Sequence, residues 1–420
     1  MTRVLVLSTT TGYQIRSFGE AAVALGIRLV FASDRCDQLE DPWWDQAIPV
    51  RFHDEERSAA AIADGLDGAR PDGVIAVGDR PTVLAARVAA QFGLPGNPPE
   101  AAAASRNKLE VRQALQRAGL PVPRFRQLPV GGPAAESAAA VGYPVVVKPL
   151  ALSGSRGVMR VNTPGELPAA IERLERLLQA PDVRAERDPA HDEMLIESFI
   201  PGREFAVEAL LTAGSLRVLA IFDKPDPLDG PFFEETIYVT PSREAPEVQA
   251  RITQTIATAA AALGLRHGPL HAECRVNAAG VWVLEVAPRP IGGLCSKALR
   301  FTAGSGEIIS LEALLLRHAV GQDVTGLSRE ASASAVMMIP IPRRGLYRGV
   351  TGVEAAAGVA GVDDVRITAK ADAVVVPLPE GRSYLGFIFA RAMTPAGAEA
   401  AVRAAHRQLA FDIEREVPLV

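Results

Sequence analysis

The first hundred residues place short apolar segments between polar and alanine-rich ones, and this pattern predicts a parallel sheet covered by helices. Mostly apolar runs at Val4–Leu7, Arg28–Ala32 and Val74–Val77 are typical of buried strands, and a helical stretch such as Phe18–Leu25 follows each of them. Strands that alternate with helices favour a parallel α/β arrangement. Because the dinucleotide pattern G-x-G-x-x-G is absent, we interpret the region only as an open α/β scaffold. Its loops TTTGYQ and GDRP follow two of the strands, at the edge where such sheets bind ligands.

The segment YPVVVKPLALSGSRGV combines a strand, a lysine and a glycine-rich loop. The strand Val145–Val147 ends at Lys148, and the loop Ser153–Val158 follows it. Small residues allow a loop backbone to approach phosphates and to donate its amides to them. A plain hairpin turn is the alternative. Upstream of this segment, we expect Asn107 to cap a helix that begins at Lys108.

A second hairpin is predicted in MLIESFIPGREFAVEALL, with a bend at Pro201–Gly202. Its apolar wall is edged by Glu197 and Glu204, and such a wall suits an adenine base and its ribose hydroxyls. As an isolated pattern it is only a hairpin. The helix Glu166–Leu178 precedes it, and we interpret the charged segment PDVRAERDPAHDE between them as a surface loop.

The most informative stretch is His271–Gly293, which predicts two strands joined by a turn at Asn277–Gly280. Side chains alternate along a strand, so Glu285 is expected to share a face with Val283. Folding the strands together places Glu273 opposite Glu285. Like charges in such a pair repel each other, so we expect a cation between them, and Mg²⁺ accepts carboxylate oxygens together with phosphates. The alternative is a hairpin with two solvated glutamates.

The exit from this hairpin adds groups that bind anions. Arg289 follows Glu285 by four residues and offers a guanidinium fork, and Gly292 and Gly293 offer backbone amides. Two metal ligands and an anion site on one hairpin suggest phosphoryl chemistry.

The last ninety residues predict an α+β module. A closing helix at Pro395–Leu409 is expected to be capped by Thr394. The predicted strands are Ala333–Ile339, Val365–Ala369, Ala373–Val376 and Leu385–Ala390.

Composition and charge narrow the class of protein. With 420 residues the chain is too long for one core and is expected to form two to four domains. A net charge of −5 argues against a nucleic-acid partner. No apolar run approaches 18 residues and the N-terminus lacks a signal peptide pattern, so we predict a cytoplasmic protein without a membrane partner. The cysteines Cys36, Cys274 and Cys295 have neither disulfide nor zinc spacing, and we interpret them as free thiols.

Several patterns, taken in order, resemble the ATP-grasp carboxylate-amine ligases between about Pro98 and Leu316. They are NKxxxRxxLxxAGxPVP, YPVVVKP, SGSRGV, IESFIPGREFAVE, FDKPxPxxGPFFEE, HAE and LEVAPRPIGG. The segment FIFARAMTPAGAEAAVRAAHRQL resembles the terminal domain of L-amino-acid ligases, which join two amino acids, and is unlike a biotin-carboxylase tail. The family usually has asparagine where this chain has Ala287, which leaves the coordination of a second metal ion open.

The resemblance implies a multidomain α/β and α+β protein with the ATP-grasp fold. Its expected parts are an N-terminal Rossmann-like domain at 1–105, a linker helix at 106–123, a lid subdomain with the glycine-rich loop at 124–205, a catalytic subdomain at 206–330 and a C-terminal α+β domain at 331–420.

The resemblance also implies roles for particular residues. Those expected to bind ATP are Lys108 and Lys148 at the phosphates, Ser153, Gly154, Ser155 and Gly157 in the lid loop, Glu197, Ser198, Phe199 and Ile200 at the adenine, and Glu204 at the ribose. Glu273 and Glu285 are expected to bind Mg²⁺, or Mn²⁺ in its place. Arg289 and Lys148 are the expected catalytic residues, and the expected substrate contacts are Glu235, His271, Arg289, Gly292 and Gly293. Lys224, Glu234 and Glu235 lie in a segment that resembles the loop over the acceptor site, where they either pair with an amino-acid substrate or are solvated.

The implied reaction activates an amino-acid carboxylate as an acyl phosphate and couples it to an amine, with release of ADP and phosphate. One alternative is an ATP-grasp ligase of the purine-pathway or carboxylase type, which uses bicarbonate, formate or a phosphorylated amine. The other is an ATP-binding module without turnover, suggested by Ala287. The expected partners are small molecules, and a homodimer is an expectation from the family.

Overall fold

The computed structural model describes residues 1–9, 14–34, 47–303 and 306–415. Part of the TTTGYQ loop, residues 10–13, and Cys36 lie outside these ranges. Across the described ranges, none of the helices is both long enough and apolar enough to cross a lipid bilayer.

The N-terminal region is a parallel sheet covered by helices, as predicted, and it contains a fourth strand, Ile48–Pro49, that the sequence analysis did not predict. Alternate residues of the first strand enter different cores: Val4 and Val6 pack on one face, and Leu5 and Leu7 pack on the other. The elements are β1 (Arg3–Ser8), α1 (Ile15–Leu25), β2 (Arg28–Ser33), β3 (Ile48–Pro49), α2 (Glu55–Gly65), β4 (Gly73–Val77), α3 (Thr82–Gln91) and α4 (Pro99–Arg106).

A second layer contains the linker helix and the lid subdomain, whose four strands form the antiparallel sheet β5-β8-β6-β7. Asn107 caps the linker helix as predicted, because its Oδ1 accepts hydrogen bonds from the backbone N–H groups of Leu109 and Glu110. The elements are α5 (Lys108–Arg117), β5 (Phe125–Pro129), α6 (Ala134–Val141), β6 (Val145–Pro149), β7 (Met159–Val161), α7 (Leu167–Leu178), α8 (Pro181–Arg184) and β8 (Glu193–Ser198). The short helix α8 lies where the sequence predicted only a loop. It forms because Pro181 occupies its first position, where a missing N–H costs nothing.

The rest of the chain is organised around one eight-stranded sheet. The helices and strands of this part of the chain before residue 330 are β9 (Arg203–Thr212), β10 (Ser215–Asp223), β11 (Ile237–Thr240), α9 (Pro246–Ala262), β12 (Gly268–Asn277), β13 (Gly280–Ala287), β14 (Arg300–Thr302), β15 (Ile308–Ser310), α10 (Leu311–Ala319) and β16 (Ser328–Arg329). Those after it are β17 (Ala333–Ile339), β18 (Gly345–Thr351), α11 (Val353–Ala357), β19 (Val362–Ile367), β20 (Val374–Val375), β21 (Gly386–Ala392), α12 (Pro395–His406) and β22 (Ala410–Glu414).

The strand order of this sheet, β13-β12-β9-β10-β11-β17-β21-β19, crosses the domain boundary that the sequence suggested at residue 330. Strand β11 pairs with β17 from Ile237 to Thr240. The C-terminal region is therefore joined to the catalytic region by backbone hydrogen bonds.

The hairpin of β12 and β13 contains a β-bulge. Glu273 pairs with Glu285, as predicted, but Cys274 pairs with Val283, so Leu284 is an extra residue on the second strand. The extra residue reverses the alternation, and Val283 enters the apolar core while Glu285 faces a cavity. The prediction that Glu285 and Val283 share a face is therefore wrong.

Candidate active site

A cavity of about 320 Å³ lies where the lid sheet, the eight-stranded sheet and the loop after β4 meet, and it is large enough for a small ligand. Most predicted site residues line it: Lys108, Lys148, Ser153, Gly154, Ser155, Glu197, Phe199, Ile200, Glu204, Glu235, His271, Glu273, Glu285, Arg289, Gly292 and Gly293. Two predicted residues, Gly157 and Ser198, do not. The Ser198 hydroxyl accepts a hydrogen bond from the backbone of Arg124, and the Gly157 N–H donates to the Pro379 carbonyl.

At one end of the cavity, a single carboxylate is shared by two cations. Glu197 on β8 accepts hydrogen bonds from Arg112 of α5, through Nε at 2.8 Å and Nη2 at 3.1 Å. It also binds the Lys148 Nζ at the end of β6. We call Arg112, Lys148 and Glu197 the Glu197 cluster. Glu197 belongs to the segment Glu197–Ile200 that was expected at the adenine, and its carboxylate forms this ion pair while it still lines the cavity.

The pKa values of Glu197, Lys148 and Lys108 depend on burial and on the neighbouring charges. Burial would raise the pKa of Glu197, but Arg112 and Lys148 lower it to about 2. Burial lowers the pKa of Lys148 to about 7, with Arg112 and Lys108 acting in the same direction and Glu197 opposing them. Burial also lowers the pKa of Lys108, whose Nζ donates to the Leu152 carbonyl at 2.5 Å. Glu197 is outnumbered by Arg112 and Lys148, and Lys108 lies close by under the influence of Glu285 and Asp79, so this end suits an anion.

The glycine-rich loop next to this cluster has the backbone freedom that its composition predicts. Gly154, Ser155 and Gly157 have φ angles of 64°, 55° and 75°. At Gly157 a Cβ would lie 2.9 Å from Leu177 Cδ2, and together with the φ of 75° this close contact favours glycine there.

At the other end, three carboxylates surround one cation. The Lys224 Nζ lies 2.9 Å from Glu204 and 2.5 Å from Glu235. It also lies 2.8 Å from Glu273, which accepts a further hydrogen bond from the Tyr238 hydroxyl at 3.3 Å. We call Lys224, Glu204, Glu235 and Glu273 the Lys224 cluster, and its surplus of charge is negative.

The members of the Lys224 cluster ionise unequally. Burial and the Glu273 carboxylate raise the pKa of Glu235 to about 8. Burial would also raise the pKa of Glu273, but Lys224 and hydrogen bonds from His271 and Glu235 hold it well below its usual value. Burial would lower the pKa of Lys224, yet the carboxylates raise it well above its usual value. Glu235 therefore holds a proton most readily, and Glu273 stays ionised.

Arg289 lies between the two ends and is held by the N-terminal region. Its Nε and Nη2 lie 2.8 and 3.3 Å from the two carboxylate oxygens of Asp79, and Nη2 is 3.3 Å from Glu285. Burial would lower the pKa of Arg289, but these two carboxylates raise it. Burial and the Asp79 carboxylate in turn raise the pKa of Glu285. Sequence reasoning did not select Asp79, although it lies in the GDRP loop expected at the ligand edge.

His271 extends this arrangement on β12. Its Nδ1 is 2.6 Å from Glu208, and its Nε2 is 3.6 Å from Glu273. Burial would lower the pKa of His271, but hydrogen bonds to these two carboxylates raise it to about 9. The imidazole is therefore cationic at neutral pH.

Arg275 supports the wall that was expected to face adenine, and sequence reasoning gave it no role. It donates to Glu204 at 2.8 Å and to the Ile200 carbonyl at 2.7 Å. Its guanidinium also lies over the rings of Phe199 and Phe233, at 5.1 and 5.6 Å from their centroids. The sequence indicates only that Arg275, two residues after Glu273 on the same strand, shares a face with it.

A mostly apolar wall closes the cavity beside Arg289. It consists of Ile291, Cys295, Met338, Tyr384 and Phe387. Met338, Tyr384 and Phe387 belong to the C-terminal region, which the sequence did not connect with the site. Burial raises the pKa of the Cys295 thiol, which supports its interpretation as a free thiol without nucleophilic character.

The carboxylates also fit a divalent cation. Oxygen atoms of Glu204, Glu235 and Glu273 lie within 4.8 Å of one another, and Mg²⁺ takes oxygen ligands of this kind. Glu285, the other predicted ligand, pairs with Glu273 across the strands but directs its carboxylate to Arg289.

Family models match three parts of the chain. They describe an ATP-grasp N-terminal domain at residues 19–96, an ATP-grasp domain at 141–298 and an L-amino acid ligase C-terminal domain 2 at 337–414. Among solved structures, the L-amino acid ligase from Bacillus licheniformis is 26% identical and superposes with a TM-score of 0.84 over 99% of both chains.

Two further relatives have names that describe ligases. Carnosine synthase 1 from Gallus gallus is 30% identical over 65% of this chain and 31% of its own length. D-alanine–D-alanine ligase B from Chromobacterium violaceum is 30% identical over 52% of this chain and 67% of its own length. The chain thus spans about a third of the carnosine synthase it matches. From the three domains and these relatives together, the chain belongs to the ATP-grasp carboxylate-amine ligases, and among them it resembles the L-amino acid ligases.

Proposed function

We propose that the protein joins an amino-acid carboxylate to an amine at the expense of ATP, and that its product is a dipeptide or a related amide. The observation that carries the proposal is the cavity itself. Its lining combines Lys108, Lys148 and the glycine-rich loop with Arg289 and with the three carboxylates of the Lys224 cluster, Glu204, Glu235 and Glu273.

The positive end suits the nucleotide. Lys108 and Lys148 would bind phosphate oxygens, and the loop Ser153–Val158 would cover them. Phe199 and Ile200 would face the adenine, and Glu204 would accept hydrogen bonds from the ribose. A polyphosphate would also compensate the surplus positive charge beside Glu197.

Phosphoryl transfer requires charge compensation between the two ends. An oxygen of the substrate carboxylate would form a bond to the γ-phosphorus while the bond to the bridging oxygen of ADP breaks. Arg289, with Lys148, would stabilise the negative charge on the transferred group. Glu273 and Glu285 would hold Mg²⁺, which when bound neutralises charge on the phosphate oxygens.

The second step forms the amide. The ammonium group of the acceptor would first lose a proton to solvent. The neutral amine nitrogen would then attack the acyl carbon, the bond from that carbon to the phosphate oxygen would break, and the nitrogen would lose its second proton to the departing phosphate. His271 and Arg289 present positive charge to the substrate carboxylates, and the carboxylates of the Lys224 cluster present negative charge to an ammonium group. Because water competes with the amine, coverage of the acyl phosphate by the loop Ser153–Val158 would protect it.

The relatives support this substrate class. An L-amino acid ligase, a carnosine synthase and a D-alanine–D-alanine ligase each have names that imply amino-acid substrates, and the C-terminal region matches the first of these. Purine-pathway and carboxylase structures match with 15–18% identity, which supports the fold and not their substrates. No observation in the cavity favours the bicarbonate alternative over amino acids.

The test is phosphate release from ATP and Mg²⁺ in the presence of amino acids, added singly and in pairs. We expect release that depends on certain pairs, together with a new mass equal to the two amino acids less one water. Bicarbonate and formate serve as controls. Release with bicarbonate or formate alone, or ATP binding without release under any condition, would contradict the proposal.

A further inference from the structure

Segment 377–384 of the C-terminal region contacts the glycine-rich loop. The Gly157 N–H donates to the Pro379 carbonyl at 2.8 Å. The Arg156 Nε donates to the Glu380 carbonyl at 3.0 Å. The side of the loop that faces away from the cavity is therefore held by a turn from another part of the chain.

Side-chain ion pairs reinforce this contact. The Glu380 carboxylate binds two nitrogens of Arg173 on α7, and one of these distances, Nη2 to Oε2, is 2.8 Å. Asp182, at the start of α8, lies 2.9 Å from Arg156 and 3.5 Å from Arg382. A bidentate arginine–carboxylate pair is more specific than a single contact, so Glu380 defines where the turn meets the lid subdomain.

The turn itself has a defined shape. The Gly381 N–H donates to the Pro377 carbonyl at 2.8 Å, and a Cβ at Gly381 would lie 1.9 Å from the Val376 carbonyl oxygen. Glycine is therefore required there, and the turn has little room to change without moving as a unit.

The other end of the segment reaches the cavity. Arg382, Ser383 and Tyr384 line it. The Tyr384 ring packs edge-on against Phe387, with centroids 6.0 Å apart and planes at 64°. Phe387 in turn lies 3.2 Å from where a Cβ at Gly293 would be. Tyr384 therefore lies in the wall beside the predicted substrate contacts.

Three residues separate Glu380 from Tyr384, and they belong to neither a helix nor a strand. We propose that segment 377–384 is a clamp that makes the position of the glycine-rich loop depend on the substrate at the Tyr384 wall, with Glu380 as its positioning residue. The clamp rests on the proposed function only in taking that substrate to be an amino acid. A ligand that contacts Tyr384 in the observed arrangement favours the arrangement in which Glu380 holds the loop. The loop is then fixed over the nucleotide when both substrates are present, which limits hydrolysis of the intermediate.

The first test needs no substrate. Hydrogen exchange of the Gly157 amide is measured in the free protein and in Glu380→Gln, with Glu414→Gln as the matched control. Glu414 also pairs with an arginine of the C-terminal region, Arg348, but does not line the cavity. We expect exchange to accelerate about fivefold in Glu380→Gln and to stay at the wild-type rate in the control. Equal rates in all three proteins would overturn the clamp.

A second variant tests the same contact from the lid. Arg173→Gln should accelerate exchange as Glu380→Gln does, and the double variant should add nothing further because both remove one interaction. Additive effects of the two substitutions would show that they act separately and would also overturn the clamp.

The coupling is tested with ADP bound. Addition of an amino acid should slow exchange in the loop Ser153–Val158 of the wild type, and this response should be lost in Glu380→Gln and in Tyr384→Ala. Tyr384→Phe, which keeps the ring, should retain it. A response that persists in Glu380→Gln contradicts the coupling. If no pair of amino acids supports phosphate release, the proposed function fails, whereas the experiment on the free protein still decides whether the clamp exists.

Discussion

The two charged clusters differ in their ratio of cations to carboxylates. The Glu197 cluster has two cations and one carboxylate, and the Lys224 cluster has one cation and three carboxylates. Lys148 is 6% exposed and Lys224 is 8% exposed, so both lysines are desolvated to a similar degree. The pKa of Lys148 nevertheless falls to about 7, whereas the pKa of Lys224 rises well above its usual value. The difference lies in the neighbours, because Lys148 contacts one carboxylate that it shares with Arg112, whereas Lys224 contacts three carboxylates.

This comparison shows how one cavity can accept ligands of both signs. The Glu197 cluster has more cations than carboxylates, and a bound anion would balance it. The Lys224 cluster has more carboxylates than cations, and a bound metal ion or ammonium group would balance it. A nucleotide, a divalent cation and an amine would each reduce one of these imbalances. The proposed reaction therefore follows from the ratio of cations to carboxylates at each end.

The largest expected effect comes from the negative end. Glu273→Gln removes the member of the Lys224 cluster that stays ionised, and with it a predicted metal ligand. We expect phosphate release to fall about 10³-fold at saturating ATP, because charge on the transferred group is no longer compensated. Glu414→Gln is the control, and the thermal transition of both variants should match the wild type. A loss smaller than tenfold would remove Glu273 from the metal assignment.

The next largest effect is a loss of folding stability when the ion pair of Arg112 with Glu197 is removed. Arg112 is fully buried, and Arg112→Met removes one of the two cations that bind the Glu197 carboxylate and leaves Lys148. We expect the free energy of unfolding to fall by about 3 kcal/mol, measured by denaturant titration. Arg117→Met, an exposed arginine on the same helix, should change it by less than about 0.5 kcal/mol. Equal effects would mean that the buried ion pair does not stabilise the fold.

ATP affinity should depend strongly on Lys148 and only weakly on Lys224. Lys148→Met removes a charged donor from the positive end, and ATP should bind about 30-fold more weakly in equilibrium titration at pH 7. Lys224→Met leaves the phosphate contacts intact and affects the nucleotide only through Glu204 at the ribose, so its effect on ATP affinity should stay within about threefold. If both variants weaken ATP equally, the two ends of the cavity do not have the separate roles proposed for them.

Much of this site could be predicted because its signals are local in the sequence. Lys148 at a strand end, the loop after it and the pairing of Glu273 with Glu285 follow from short patterns and from strand alternation. The partners could not be predicted in this way. Arg112 and Glu197 are 85 residues apart, and nothing in either segment indicates that their side chains meet.

The bulge at Leu284 escaped prediction for a related reason. One extra residue leaves the apolar and polar pattern of β13 almost unchanged, yet it turns Glu285 from the core to the cavity. The fold class of the N-terminal region and the approximate bounds of β1, α1, β2 and β4 followed from periodicity. The pairing of β17 with β11, which brings Tyr384 and Phe387 to the site, depends on contacts across the whole chain.

The smallest predicted effect tests the protonation state on which the comparison rests. With a pKa of about 7, Lys148 is half protonated at pH 7 in the free protein. Bound phosphates favour the charged form and raise this pKa, so nucleotide binding should take up about half a proton at pH 7. Uptake should rise towards one proton as the pH approaches 8 and fall towards zero near pH 6, where Lys148 is already charged.

Calorimetry of MgADP binding in two buffers with different ionisation enthalpies measures this uptake. Lys148→Arg, which is charged throughout this range, supplies the background from all other groups. We expect the difference between wild type and variant to follow the pH course given above. The same uptake in both proteins would place the pKa of Lys148 well above 7. The two lysines would then share one protonation state, and the clusters would differ only in their surplus of carboxylates.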